Sequence, residues 1–128
     1  MSNPTFKHGP IGFDIATDLD KFRVVALNEE GKIAYANGTG GALGVVTETG
    51  RLEEKEPGAK NIAVHYGTAA VKVETDGEIK AGAAVYTAAD GKVSATGTVK
   101  IGVAIRPTAD GKTLTILNGL PTAGPDAA

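Results

Sequence analysis

One stretch of the chain is written twice. Val25 to Tyr35 sets strand-forming residues on either side of Glu30-Gly31-Lys32, then runs through Thr39 to Leu43-Gly44-Val45-Val46. Val85 to Ala95 does the same about Asp90-Gly91-Lys92, then runs through Thr98 to Ile101-Gly102-Val103-Ala104. Each copy, at about residues 22–47 and 82–105, reads as two short strands across a glycine turn, a Gly/Thr loop, and a third strand of form aliphatic-Gly-Val-small. An internal repeat of this kind sets the architecture before any other feature is considered. In the second copy Val99, Ile101, Val103 and Ile105 fall on alternate positions, the period of a strand with one buried face. The other face carries Lys100, Gly102 and Ala104. Gly102, its counterpart Gly44, and Ala104 are small enough for another backbone or a neighbouring subunit to come close.

The rest of the sequence fits short strands joined by tight turns. Eighteen glycines, six aromatic residues and abundant Val, Thr and Ala in 128 residues favour strands over long helices. At this length the chain forms one domain. Asp110-Gly111-Lys112 sits between two alternating segments and predicts a hairpin, because such a turn needs positive φ. Leu114 and Ile116 are expected to face inward on its second strand. Ile62, Val64 and Tyr66 alternate on a strand from Asn61, and Val71 and Val73 resume the pattern after Gly67-Thr68. About nine strands result, and the predicted fold class is all-β: a small barrel or sandwich containing the repeat. Residues 1–13 hold two prolines, two glycines and no sustained period, and read as an extended arm ahead of a β domain over 14–119. Phe6, Ile11 and Phe13 make that arm too apolar for a solvated tail, so it packs on its own domain or on a partner. Residues 120–128 form a tail.

Several kinds of chemistry are excluded. The net charge is −2, with seven basic and nine acidic side chains in residues 1–60 and six of each thereafter, so no basic face for nucleic acid is supplied. The absence of cysteine removes disulfides and thiolate metal sites. No signal sequence and no membrane-spanning run is present, so a soluble protein made in the cytosol is expected. Gly38 to Gly44 is glycine-rich, but no Lys follows and the next segment is a strand, so it is a loop and not a phosphate cradle. Asp14, Asp18 and Asp20 lack the glycine and terminal Glu of a calcium loop. His8 and His65 form neither a metal site nor an acid–base pair, and no Ser-His-Asp set rests on a nucleophile elbow. No catalytic residue, cofactor or metal ligand is assigned, and an enzyme is not expected.

The order of pieces is nonetheless familiar. Gly-Lys-Ile-Ala-Tyr-Ala (31–36) followed by Gly-Thr-Gly-Gly-Ala-Leu-Gly-Val-Val (38–46) resembles the core of head decoration proteins of lambda-like tailed phages. Ala63 to Gly67, Ile79 to Tyr86, Asp90 to Val93 and Ile101 to Ala104 resemble a family of small phage capsid-cement proteins. The resemblance covers about residues 22–117 and rests on the order of small and aliphatic residues; the lambda type carries the motif once, this chain twice. It implies a β-barrel-like domain with an extended N-terminal arm, assembling as a homotrimer on the outside of an expanded icosahedral capsid and clamping neighbouring major capsid proteins. Phe6, Ile11 and Phe13 are then the expected capsid-binding residues. Neither nucleic acid nor membrane is an expected partner. A second reading is a carbohydrate- or surface-binding module of a phage fibre or adhesin, which needs exposed aromatics; Tyr35, Tyr66 and Tyr86 are its only tyrosines.

Overall fold

The computed structural model describes residues 9–53 and 58–122. Within them lie ten strands and one 3-10 turn, Ala89–Gly91. The first half contains β1 (Ile11–Asp14), β2 (Arg23–Leu27), β3 (Ile33–Tyr35), β4 (Gly44–Val46) and β5 (Asn61–His65). The second contains β6 (Ala70–Glu74), β7 (Ala84–Thr87), β8 (Val93–Ser94), β9 (Lys100–Ala104) and β10 (Lys112–Leu117). The first sheet has the order β1-β5-β4-β2-β3 and the second β6-β10-β9-β7-β8, which is the same order displaced by five strands. In each half a single parallel bridge, Ile15 to Ile33 or Thr75 to Val93, ties the first strand to the third and rolls the sheet towards a closed barrel. The protein is all-β, two alike five-stranded halves in tandem.

The likeness holds residue by residue. Val25 faces Gly44 as Val85 faces Gly102, and Val45 faces His65 as Val103 faces Ile116. Ala26 pairs with Ala34 as Tyr86 pairs with Ser94. Asp14 lies opposite Asn61 as Glu74 lies opposite Lys112. Both glycine turns close alike, by Asn28 N–H donating to Lys32 O (2.9 Å) and Ala88 N–H donating to Lys92 O (2.8 Å), with Gly31 and Gly91 at φ of 81° and 71°. The duplicated unit therefore reaches beyond residues 22–47 and 82–105 to take in β1 and β5, β6 and β10. Those outer strands share position and not residue type, which is why the shorter repeat alone is visible in the sequence.

Two packed interiors follow. Ile15, Leu19, Val25, Ile33, Leu43, Val46, Ile62 and Val64 fill the first half. The second holds Val71, Val73, Ile79, Val85, Val93, Ile101, Ala104 and Leu117, and joins Val24, Ala36, Ala42 and Val45 from the first. Burying each of those valines between the halves contributes about 1.5–3 kcal/mol. Backbone hydrogen bonds cross the same junction: Glu74 N–H to Phe22 O (2.8 Å), Gly91 N–H to Ala36 O (2.8 Å) and Thr122 N–H to Ala42 O (2.7 Å).

Four expectations need correction. Residues 120–122 are not part of a tail: Leu120 is buried in the second interior, and Thr122 is bridged to Ala42. Residues 11–13 are a strand of the fold and not part of an extended arm ahead of it: Ile11 and Phe13 stand in β1 opposite Val64 and Ile62, and Phe13 packs on its own domain, against the first interior. Ile11, Phe13 and Ile15 alternate, but only four residues pair, between proline and glycine on one side and a loop on the other. On β10 the inward residues are Thr113, Thr115 and Leu117, while Leu114 is half-buried and Ile116 is 39% exposed. The threonines can go inside because their hydroxyls bond locally: Thr113 Oγ1 lies 2.7 Å from Thr75 Oγ1 and 2.6 Å from Thr108 Oγ1, and Thr115 Oγ1 donates to Thr113 O. On β9 the alternation breaks, with Ala104 buried and Ile105 exposed; the facing strand β7 shifts register between Val85 and Tyr86.

Candidate functional site

Phe22 enters β2 with φ of 63°, in the left-handed region that a bulky side chain avoids at a cost of about 1–2 kcal/mol. Two short backbone bonds fix it there: its N–H donates to Val46 O (2.7 Å), and its carbonyl accepts from Glu74 N–H (2.8 Å). Gly82 occupies the matching place in the second half, at φ of 84°, donating to Ala104 O over 2.7 Å. Glycine is what this backbone asks for, and the first half carries phenylalanine instead. Its half-buried ring has Lys21 Nζ at 5.5 Å and Lys112 Nζ at 5.8 Å from its centre, within cation–π range.

The ring forms one wall of a pocket of about 440 Å³ at the junction of the halves. Lys72 of β6 and Lys112 and Leu114 of β10 form a second wall, and the β9–β10 hairpin contributes Arg106, Pro107 and Asp110. Asp110 and Gly111, at φ of 53° and 74°, make that turn, as the Asp-Gly signal predicts. Lys112 forms a half-exposed ion pair with Glu74, Nζ to Oε1 at 3.5 Å. Lys72 and Arg106 make no ion pair among the described residues. The volume lies within the range of small-ligand sites, and aromatic, aliphatic and cationic walls together suit an anion carried on an apolar body.

A second cavity, about 520 Å³, is lined by Ala26, Leu27, Ala42, Leu43 and Pro121. Apart from Thr122 its side chains are apolar, and Leu27 stands 47% exposed at its rim.

The residues singled out from sequence do not gather into one site. Phe6 lies outside the described residues, and Ile11 and Phe13 belong to β1. Gly44, Gly102 and Ala104 are buried among strands. A Cβ at Gly44 would meet His65 O at 2.2 Å, and one at Gly102 would meet Ile116 O at 2.1 Å, so both glycines lie against a neighbouring strand's backbone. Tyr35, Tyr66 and Tyr86 are half-buried and none lines either cavity; the Tyr35 hydroxyl accepts from Asp20 N–H (2.8 Å). The three aspartates each have a partner: Asp14 accepts from Asn61, Asp18 from Leu52 N–H, and Asp20 from Arg51 (2.9 Å). His65 Nε2 lies 3.4 Å from Thr47 Oγ1. No group of three or more His, Cys, Asp or Glu side chains that could hold a metal occurs among the described residues. Sequence reading missed the basic pocket, since its walls come from residues as distant as Phe22 and Leu114. Aligning the two copies would have flagged it, by setting Phe22 against Gly82.

The fold thus defines a class: a small all-β domain made of two halves with the same strand order and matching registers, with a basic aromatic pocket between them. Among solved structures it is similar to the N-terminal base of the head fibre protein gp8.5 of bacteriophage phi29, with a TM-score of 0.65 and 17% sequence identity over 89% of this chain and 96% of that one. At that identity the likeness is one of fold. No family model and no curated protein matches the sequence.

Proposed function

We propose that the chain is a structural protein of a phage virion that binds the outside of the expanded icosahedral head and stabilises it by bridging neighbouring major capsid proteins. The observation that carries the virion-protein part of this reading is the shared fold with a head fibre base over nearly the full length of both chains; binding to the expanded head and bridging are our extension of it. The sequence resemblance to decoration and cement proteins points the same way by a separate route. A homotrimer is the proposed assembly, and residues 1–10, with Phe6, are proposed to contribute to attachment. Cosedimentation of the purified protein with expanded, undecorated shells of the phage that encodes it tests the reading. Saturable binding at a fixed ratio to the capsid protein, absent with unexpanded shells, is expected; no binding to either shell refutes it.

The fibre base also favours a second reading, in which the chain is the head-proximal base of a longer appendage. Virions lacking the protein would then lose a projecting fibre while keeping the thermal stability of the head, whereas the first reading predicts loss of stability.

A further inference from the structure

Two halves built on one backbone plan supply an internal control. What the fold requires is common to both, and what differs answers to something else. Position by position, the pocket walls differ. Lys72, Arg106, Lys112 and Leu114 in the second half correspond to Gly12, Glu48, Asn61 and Ala63 in the first, by the strand registers that align Glu74 with Asp14 and Gly102 with Gly44. Three cations and an aliphatic side chain thus stand where the same fold is built from a glycine, an acid, an amide and an alanine. On the facing side, Phe22 at φ of 63° stands where the second half uses Gly82. The backbone neither needs these residues nor, at Phe22, favours the one it has; such outliers cluster at sites that bind.

We propose that this pocket binds an acidic, apolar peptide segment of a partner protein, a Glu or Asp side chain beside an aromatic or aliphatic one. The carboxylate sits among Arg106, Lys72 and Lys112, and the apolar neighbour lies on the Phe22 ring and Leu114. Arg106 offers a planar fork suited to a carboxylate, and it and Lys72 form no ion pair among the described residues. Asp110 in the wall and Glu74 on Lys112 hold the local positive charge to a small excess, which matches one or two carboxylates and is too little to hold a phosphate polymer. The proposal concerns the pocket alone and does not depend on the partner being a capsid protein.

The test is an NMR titration of the full chain with the peptide acetyl-Gly-Phe-Glu-Leu-Glu-Gly-amide, its Gln-for-Glu counterpart, and 3-phenylpropionate. Saturable shifts at Phe22, Leu114 and Arg106 with the Glu peptide, weaker at least tenfold with the Gln peptide, are expected. Arg106→Glu and Lys72→Glu should each weaken the Glu peptide at least tenfold. Phe22→Gly should weaken it too while leaving Tm at or above that of the wild type, because the matching position already carries glycine; a lowered Tm with binding intact would make Phe22 a packing residue and overturn its role. Equal or absent shifts with the Glu and Gln peptides overturn the proposal. Phenylpropionate binding as tightly as the Glu peptide would assign the pocket to a small organic acid and overturn the peptide occupant. Shell binding by wild type without peptide binding would refute the pocket alone, and the reverse would refute the capsid reading alone.

Discussion

Replacing Gly102 by alanine should be among the most damaging single-methyl changes available to this fold. The added Cβ would lie 2.1 Å from Ile116 O and 3.0 Å from Ile116 C, against an ordinary contact of 3.4 Å or more. Relief requires a movement of about 1.3 Å between β9 and β10 (3.4 minus 2.1), and the obstacle is backbone, so no side chain can rotate away. Overpacking costs about 1–3 kcal/mol, and parting the strands sacrifices ladder hydrogen bonds worth about 1 kcal/mol each. The sum is about 3–5 kcal/mol, a large part of the 5–15 kcal/mol or so that holds a domain together, or a fall in Tm of about 12–20 °C. Gly44→Ala should behave likewise, since its Cβ would meet His65 O at 2.2 Å. Gly31→Ala is the control: nothing lies within 4 Å, and the only penalty is its φ of 81°, about 1 kcal/mol. Urea unfolding followed by circular dichroism, with linear extrapolation, measures all three. If Gly102→Ala costs no more than Gly31→Ala, the close approach of β9 and β10 is wrong.

Other consequences are smaller. Thr113→Val should cost about 1 kcal/mol, and adding Thr75→Val should cost less than the sum of the single changes, because the two hydroxyls share one bond. Arg51→Ala should cost about 2 kcal/mol and Arg51→Lys nearly as much, since its guanidinium donates at once to Leu19 O, Gly50 O and Asp20 in a fork that lysine cannot copy; chemical denaturation reads both. Deleting residues 1–8 should leave Tm unchanged, whereas deleting 1–14 removes β1 and lowers it by about 8 °C or more, about 2 kcal/mol at the same sensitivity. Glu74→Gln should cost under about 1 kcal/mol in a melt, as its ion pair with Lys112 is half-exposed.

Much of the fold was legible where local chemistry decides it. The turns at Gly31, Gly91 and Asp110-Gly111 need positive φ and carry residues that tolerate it, and Val85, Ile62 and Val64 alternate with less buried neighbours as one-sided strand residues do. The duplication showed only over β2–β4 and β7–β9, where both copies use the same residue types. At β5 and β10 the common position is held by Ile62 and Val64 in one half and by Thr113 and Thr115 in the other. A pattern of hydrophobic residues cannot see that a threonine goes inside when its hydroxyl finds a neighbour, and it placed Leu114 and Ile116 inward instead. β1 escaped notice because four residues give too short a period to stand out beside Pro10 and Gly12. The pocket was illegible for another reason. Its aromatic wall precedes its cationic walls by 50 residues or more of sequence, and the strain at Phe22 is a property of the backbone.

The proposal that the chain stabilises a phage head by binding its outer surface is tested most directly by the melting of the shell. A ligand that prefers the intact lattice stabilises it by about 2.7 kcal/mol per site at a hundredfold excess over Kd, and many sites on one shell act together. The measurement is calorimetry of expanded shells with and without saturating protein. The account predicts a higher disruption temperature for decorated shells, little changed between low and moderate salt because the chain carries a net charge of only −2. Equal disruption temperatures at demonstrated full occupancy would contradict it and leave a passive base for a surface appendage.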